Sequence, residues 1–325
     1  MRDLARLRYR EASARGHVES WFLKANDPGG HRAIWLKWTV WAGERAPERA
    51  VAESWAVAFG TSTGHSAAKS VTPFRSARFE RHGLGVAIDG CTLSATAARG
   101  RVESGGRAIA YDLSIAALGP PLKQYPADWM YSPAFPARKL SSPVSSALVS
   151  GRVDVGGEPW ALVDWPGMVG HNWGRRHPEA YAWGHCNAWD DGDDCVLEGF
   201  TSNGAGVLVP AVTMLWVRHR GVSHAFNTLV SVARNRAEIT PRRWTFRGAD
   251  KEAAIEGELW AETDGMVGLF YPNPDGTMCH CLTSMIANAE VTLKLPRQPP
   301  RTIRSSRAAL EIGTTDARHG VRMHV

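Results

Sequence analysis

The feature that most constrains this chain is a succession of short strand patterns, each closed by a turn, with almost no helical periodicity between them. His17–Lys24 (HVESWFLK), Ala33–Trp41 (AIWLKWTVW) and Glu53–Phe59 (ESWAVAF) are rich in aromatic and β-branched residues and free of Pro and Gly, which is the composition of strands. Asn26–Gly30 (NDPGG) supplies turn residues after the first of them. Tyr271–Thr277 (YPNPDGT) carries the Asp-Gly pair that a tight hairpin needs for its positive-φ position. The same reading places strands at Val86–Ala98, Arg107–Ala117, Ser146–Val155, Trp160–Asp164, Tyr181–Trp189, Asp194–Thr201, Val207–Arg218, Ser223–Ala233, Trp244–Arg247, Ala254–Glu262, Met266–Phe270, Met278–Ile286 and Ala309–Gly313. A short helix is expected only at Ala5–Arg15. Many short strands at regular spacing predict an all-β sandwich or barrel.

With 325 residues, the chain is long for one domain and comfortable for two. Two segments interrupt the strand pattern. Leu118–Pro143 is rich in proline and aromatics and reads as a long loop, the kind that carries function or forms a lid. Asp164–His177 (DWPGMVGHNWGRRH) lies near the middle, and the domain boundary is placed just after it, giving domains 1–176 and 177–325.

Charge narrows the classes of function. The net charge is +6 and the pI about 9.2, but the arginines are dispersed and no nucleic-acid-binding signature accompanies them, so no nucleic-acid partner is expected. The start of the chain has no apolar signal region. Five cysteines, an odd number, fit a reduced chain without disulfide staples. No apolar run approaches a membrane span. A cytoplasmic protein is the expectation.

The most specific signal is GMVGHNWG, Gly167–Gly174. Its three glycines in eight residues permit tight bends and close backbone approach. Between them stand a titratable ring, an amide and a π-face: His171, Asn172 and Trp173. If the segment is extended, His171 and Trp173 share a face, directed at a ligand, while Asn172 faces away and pins the turn. A barrel corner in which His and Trp simply pack is the competing reading, and the residues alone leave both open.

This motif resembles the His-x-Trp-Gly signature of the AttH-like and carotenoid hydratase (hydroxyneurosporene synthase) superfamily, which is related to tocopherol cyclase. HVESWFLKANDP at His17–Pro28, AIWLKWTV at Ala33–Val40, NPDGTMCHC at Asn273–Cys281 and ALEIGT at Ala309–Thr314 are similar to the bacterial AttH-like branch. The resemblance implies two lipocalin-like antiparallel β-barrels side by side, with little helix. It also implies long, apolar, often isoprenoid ligands and enzymes that protonate a carbon–carbon double bond, after which water or an internal hydroxyl captures the cation. The motif's His and Trp map onto His171 and Trp173. The family's downstream partners do not map cleanly; this chain offers Tyr181, Trp183, His185 and Glu198 there.

Such chemistry needs a shielded acid, and a carboxyl in an apolar pocket keeps its proton near neutral pH. Glu19 alternates with His17, Trp21 and Leu23, and Glu198 alternates with Val196 and Phe200; each is a candidate acid, although for either one taken singly a structural ion pair with an arginine is the favoured reading. The candidate catalytic residues are thus His171, Trp173, Glu198 and Glu19, and the candidate ligand-binding residues Trp21, Asn172, Tyr181, Trp183 and His185.

Four other motifs read as structural. Gly60–Gly64 (GTSTG) has the form of a nucleophile elbow but sits among strands, as a hairpin turn. Cys279 and Cys281 share a strand face from which His280 points away, so they read as core cysteines and no metal is expected. Gly204-Ala205-Gly206 lacks the rest of a dinucleotide loop. Asp190–Asp194 reads as a solvated hairpin tip. The expected function is a hydratase or cyclase acting on an apolar isoprenoid-like ligand inside a barrel cavity, without a cofactor. The alternative is a carrier that binds a lipid or isoprenoid without turnover. Peripheral membrane contact is a route for ligand exchange in either case.

Overall fold

A computed structural model describes residues 4–11, 16–80, 82–132, 138–203 and 211–325. Strand alternation organises it into two curled antiparallel sheets. The first contains β1 (His17–Asn26), β2 (Ala33–Ala42), β3 (Val51–Thr61), β4 (Gly64–Pro73), β5 (Arg78–Phe79), β6 (Gly85–Ile88), β7 (Cys91–Ser94), β8 (Ala97–Ser104), β9 (Arg107–Ala117), β10 (Leu122–Lys123), β11 (Arg138–Val155) and β12 (Glu158–Gly174). The second contains β13 (Ala180–Cys186), β14 (Cys195–Ser202), β15 (Val212–His219), β16 (Val222–Phe226), β17 (Arg236–Thr240), β18 (Arg243–Ala249), β19 (Ala254–Trp260), β20 (Val267–Pro272), β21 (Met278–Lys294) and β22 (Arg301–Thr314). One short α-helix, α1 (Leu229–Arg234), is described. The expected all-β class with little helix is what forms. No described helix is long and apolar enough to cross a membrane.

The two sheets share one pattern of connection, the first having two more strands at one end. Strand order is β4-β3-β2-β1-β12-β11-β9-β8-β7-β6-β5 in the first and β16-β15-β14-β13-β22-β21-β19-β18-β17 in the second. In each, the first strand pairs with the last, and one short strand (β10 or β20) pairs with the long penultimate strand from off the main path. Both penultimate strands bulge against their partners, between Ser141 and Ala147 in β11 and between Ser284 and Ala289 in β21. A bulge bends its strand and re-aims the side chains beside it.

Each sheet curls around its own core. Trp21, Leu23, Trp38, Val149 and Val169 fill the first, and Leu197, Leu215, Trp244, Leu259 and Leu310 the second. A third cluster, including Phe22, Trp35, Phe59, Met168, Trp183, Tyr271 and Met285, lies between the sheets. This explains why β1 and β2 are buried on both faces: odd-numbered residues of β1 turn into the barrel and even-numbered ones towards the other sheet.

Several expectations change. Residues Leu4–Arg10 form turns and extended chain rather than a helix, and residues 12–15 lie outside the described set. Val86–Ala98 is three short strands, and Ser223–Ala233 is a strand followed by α1. The strand expected to run to Trp189 ends at Cys186, and Trp189 belongs to the second core. GMVGHNWG is straight strand within β12. Its Gly170 is there for close approach, since a Cβ would sit 2.1 Å from the Phe22 ring. The GTSTG hairpin and the buried Cys279 and Cys281 match the structural readings. Asp193 does not: its carboxylate is buried, 2.7 Å from Arg301 and 3.1 Å from His219. Gly204-Ala205-Gly206 lies outside the described residues.

Candidate active site

Each barrel buries a core of its own side chains, and an aromatic cavity with polar groups in its wall lies between the two. The facing surfaces of the two sheets leave a cavity of about 90 Å³ walled by Phe22, Trp35, Tyr125, Tyr181, Trp183, Phe200 and Tyr271, with Lys37, Arg138, Lys139, Asn172 and Glu311 among its polar groups. That space exceeds what single waters need. The sequence led to the expectation of a cavity inside a barrel, whereas this cavity is lined from both sheets. Gly313 of β22 helps to shape the wall, because a Cβ there would meet the Tyr181 ring at 1.8 Å.

Glu198 stands beside this cavity. On β14 it is two residues from Phe200, and across the ladder it pairs with His185 while Phe200 pairs with Trp183. Its carboxylate is fully buried and accepts hydrogen bonds from Ser142 Oγ (2.7 and 2.8 Å), Gln124 Nε2 (2.8 Å) and Trp183 Nε1 (3.2 Å). Ser142 comes from the β11 bulge and Gln124 from the proline-rich segment, so two irregular elements of the first sheet reach across to it. Burial penalises the anion; the bonds from Ser142, Trp183 and Gln124 and the charge of Lys24 offset only part of that, leaving the carboxyl pushed up to about 7. Lys24 is itself buried, with its ammonium on Asn26 (2.8 Å) and Asn187 (3.0 Å), and desolvation brings it down to about 8.

Glu19 has the opposite fate. Its side chain turns into the first barrel and receives the backbone N–H groups of Arg8 (2.8 and 2.9 Å) and Tyr9 (2.9 Å), together with His17 Nε2 (2.9 Å) and His171 Nε2 (2.9 Å). Burial alone would raise its pKa, but the hydrogen bonds and charges of His17 and His171 outweigh it and hold the group at about 2. Glu19 is an ionised anchor for the N-terminal segment and does not supply a shielded proton.

His171 belongs to the same anchor. Its Nδ1 lies 2.6 Å from the Leu4 carbonyl oxygen, and its ring stacks between Trp21 (4.7 Å) and Trp173 (4.6 Å). Both ring nitrogens thus lie against oxygen atoms, of the Leu4 carbonyl and the Glu19 carboxylate. Trp21 donates to the Ala5 carbonyl at 2.8 Å, and Trp173 packs under the Arg8 guanidinium, 4.9 Å from the ring centre. The expected orientation is thus reversed. His171, Trp173 and Trp21 face away from the inter-sheet cavity, and Asn172 lines it, with Arg138 donating to its amide oxygen at 2.9 Å. The cause is parity: β12 is extended, and its odd positions near 171 turn inward.

Of the other expected site residues, Tyr181 and Trp183 line the cavity, while His185 is buried outside its wall, 3.0 Å from the Ser145 carbonyl oxygen. Desolvation, then Lys24, pushes His185 well below the ordinary histidine range. Sequence reasoning missed Phe22, Trp35, Lys37, Gln124, Ser142, Tyr271 and Glu311. Lys37 had a visible signal, since it alternates with Trp35 on an otherwise apolar strand.

No curated protein matches the chain in sequence. Solved structures share its fold, two of them as follows. An AttH-assigned protein from Nitrosomonas europaea superposes with a TM-score of 0.58 at 14% identity, over 96% of this chain and 98% of the other. Kievitone hydratase from Nectria haematococca superposes with a TM-score of 0.54 at 10% identity, over 92% and 90%. These likenesses support the lipocalin-like architecture that the sequence motifs suggested. The tocopherol cyclase-like family model matches residues 128–314, a span from the proline-rich segment, through the β12 motif and Glu198, to the end of β22. By that match, the chain belongs to the tocopherol cyclase-like family.

Proposed function

We propose that this protein is a hydratase or cyclase that protonates a carbon–carbon double bond of a largely apolar ligand, isoprenoid-like in character, held between the two sheets. The observation that carries the reading is Glu198: a buried carboxyl at about 7 beside an aromatic cavity. A carboxyl in that state is half protonated at neutral pH and well matched to general acid catalysis. Glu198 gives its proton to the alkene, leaving a carboxylate and a carbocation. The faces of Trp183, Tyr181 and Phe200 stabilise the cation. Water or an internal hydroxyl adds to it, and the proton released returns to Glu198. Ser142 and Gln124 hold the carboxyl in place throughout. Membership of the tocopherol cyclase-like family and the fold shared with kievitone hydratase support the reading.

The test is incubation in D₂O with a panel of alkenes, including kievitone and linear isoprenoids, followed by mass spectrometry. After back-exchange in H₂O, hydration leaves one deuterium on carbon together with the elements of an added hydroxyl, and cyclisation leaves deuterium on carbon with no added oxygen. Saturable binding of the panel with no incorporation by the wild type would replace the enzyme with a carrier.

A further inference from the structure

The cavity wall carries donors that the protein does not satisfy. Lys37 is 95% buried by its 5% exposure, and its nitrogen sits 3.6 Å from the Tyr271 ring centre and 5.5 Å from that of Trp35. Among the described residues it has these ring contacts but no hydrogen bond and no ion pair. The two carboxylates that influence it are occupied elsewhere. Glu311 accepts from Tyr181 Oη at 2.6 Å, and Glu53 pairs with Lys69 at 2.8 Å and accepts from Trp55 Nε1 at 3.1 Å. In the same corner, Trp35 Nε1 and Tyr271 Oη are buried without hydrogen-bond partners. Three residues of the cavity wall thus carry an ammonium, an indole N–H and a phenol for which the described residues supply no oxygen or nitrogen acceptor.

The neighbouring charges have the same sign. Arg138 also lines the cavity, and among the described residues it donates to neutral oxygens, of Arg176 (3.1 Å) and Asn172 (2.9 Å), while among the described lining residues Glu311 is the one carboxylate. A buried charge lacking partners is costly, and a wall so built is complementary to an anion.

We propose that the ligand of this cavity carries a carboxylate, which Lys37, Trp35 Nε1 and Tyr271 Oη receive, with its apolar body lying along Phe22, Trp183 and Phe200. This rests on the cavity being the substrate site of the proposed function. It also removes a difficulty in that function. A carbocation formed beside an uncompensated ammonium is repelled by it, and a bound carboxylate cancels that charge before the proton moves.

The experiment is calorimetric titration of the full chain with trans-cinnamate and with its neutral isostere trans-cinnamamide. Cinnamate should bind at least about tenfold more tightly, the worth of a charge-assisted hydrogen bond. Lys37→Met should abolish that preference while cinnamamide affinity stays unchanged, which also shows that the variant is folded. Trp35→Phe, which keeps a ring and removes the N–H, should narrow the preference several-fold and serves if Lys37→Met does not fold. Equal affinities in the wild type, no cinnamate binding, or a preference that survives Lys37→Met overturns the inference. Neither probe has to react, so carboxylate preference without alkene hydration removes the proposed activity alone, and hydration without carboxylate preference removes this inference alone.

Discussion

Glu19 and Glu198 are carboxylates of similar burial on the same scaffold, and their surroundings drive them to opposite charge states. Glu19 sits inside the first barrel among cationic and backbone donors: two imidazoles and the N–H groups of Arg8 and Tyr9. Glu198 sits between the sheets among a hydroxyl, an amide and an indole. Neutral donors reduce the cost of a buried anion; cationic ones reverse it. Burial therefore does not by itself mark a reactive acid. The kind of donor does, and here it divides one carboxyl that anchors the N-terminal segment from one that keeps a proton near neutral pH.

The sharpest way to break this contrast is exchange of each carboxyl. Glu198→Gln should lower turnover by ~10²–10⁴-fold, the contribution of a general acid, with little loss of melting temperature. Glu19→Ala should do the reverse, costing about 3–5 kcal/mol in urea unfolding at neutral pH, because it leaves His17, His171 and two amides without their acceptor. Comparable activity losses in both variants at unchanged stability would erase the distinction.

Stability against pH should separate the two groups by sign. Glu19 lies below the ordinary 4.5, so its contribution is full above that pH and is lost as pH falls towards about 2. Glu198 lies above 4.5, so the folded state holds its proton longer than the unfolded chain, and stability declines as pH rises from 4.5 to about 7. Urea unfolding of Glu198→Gln should accordingly show a gain over wild type that is larger at pH 8 than at pH 5. A gain independent of pH would contradict the raised pKa.

Smaller effects should sharpen the boundary between anchor and site. His171→Ala should cost about 1–3 kcal/mol through its lost hydrogen bonds, and ligand affinity per folded molecule should not change; a fall in that affinity would return His171 to the site. Trp183→Phe keeps an aromatic face and loses the N–H to Glu198. It should reduce turnover only several-fold, on the scale of one hydrogen bond worth ~1 kcal/mol.

The sequence made much of the fold legible, because strand alternation and Gly-containing hairpins are local signals. Trp35 and Trp38 fall on opposite faces of β2 by counting alone. The long strands were less legible. Pro143 and Pro166 interrupt the patterns of β11 and β12, yet the ladder continues past both, and bulges in β11 absorb the break. The two candidate carboxyls were both visible as acids on apolar strand faces. Their difference was not, since it rests on partners remote in sequence: His171 lies 152 residues from Glu19, and Gln124 lies 74 from Glu198. The orientation of His171 and Asn172 depended on which face of β12 meets the second sheet, and the motif does not carry that information.

The central claim is that Glu198 alone of this pair exchanges its proton near neutral pH. Carbon-13 NMR of protein labelled at the glutamate side-chain carboxyl carbons tests it directly, with the Glu198 signal assigned by its disappearance in Glu198→Gln. That signal should titrate at about 7, and the signal missing from Glu19→Gln should show no titration between pH 4 and 9, since Glu19 lies at about 2. A Glu198 signal that titrates at the ordinary 4.5 or below would contradict the account.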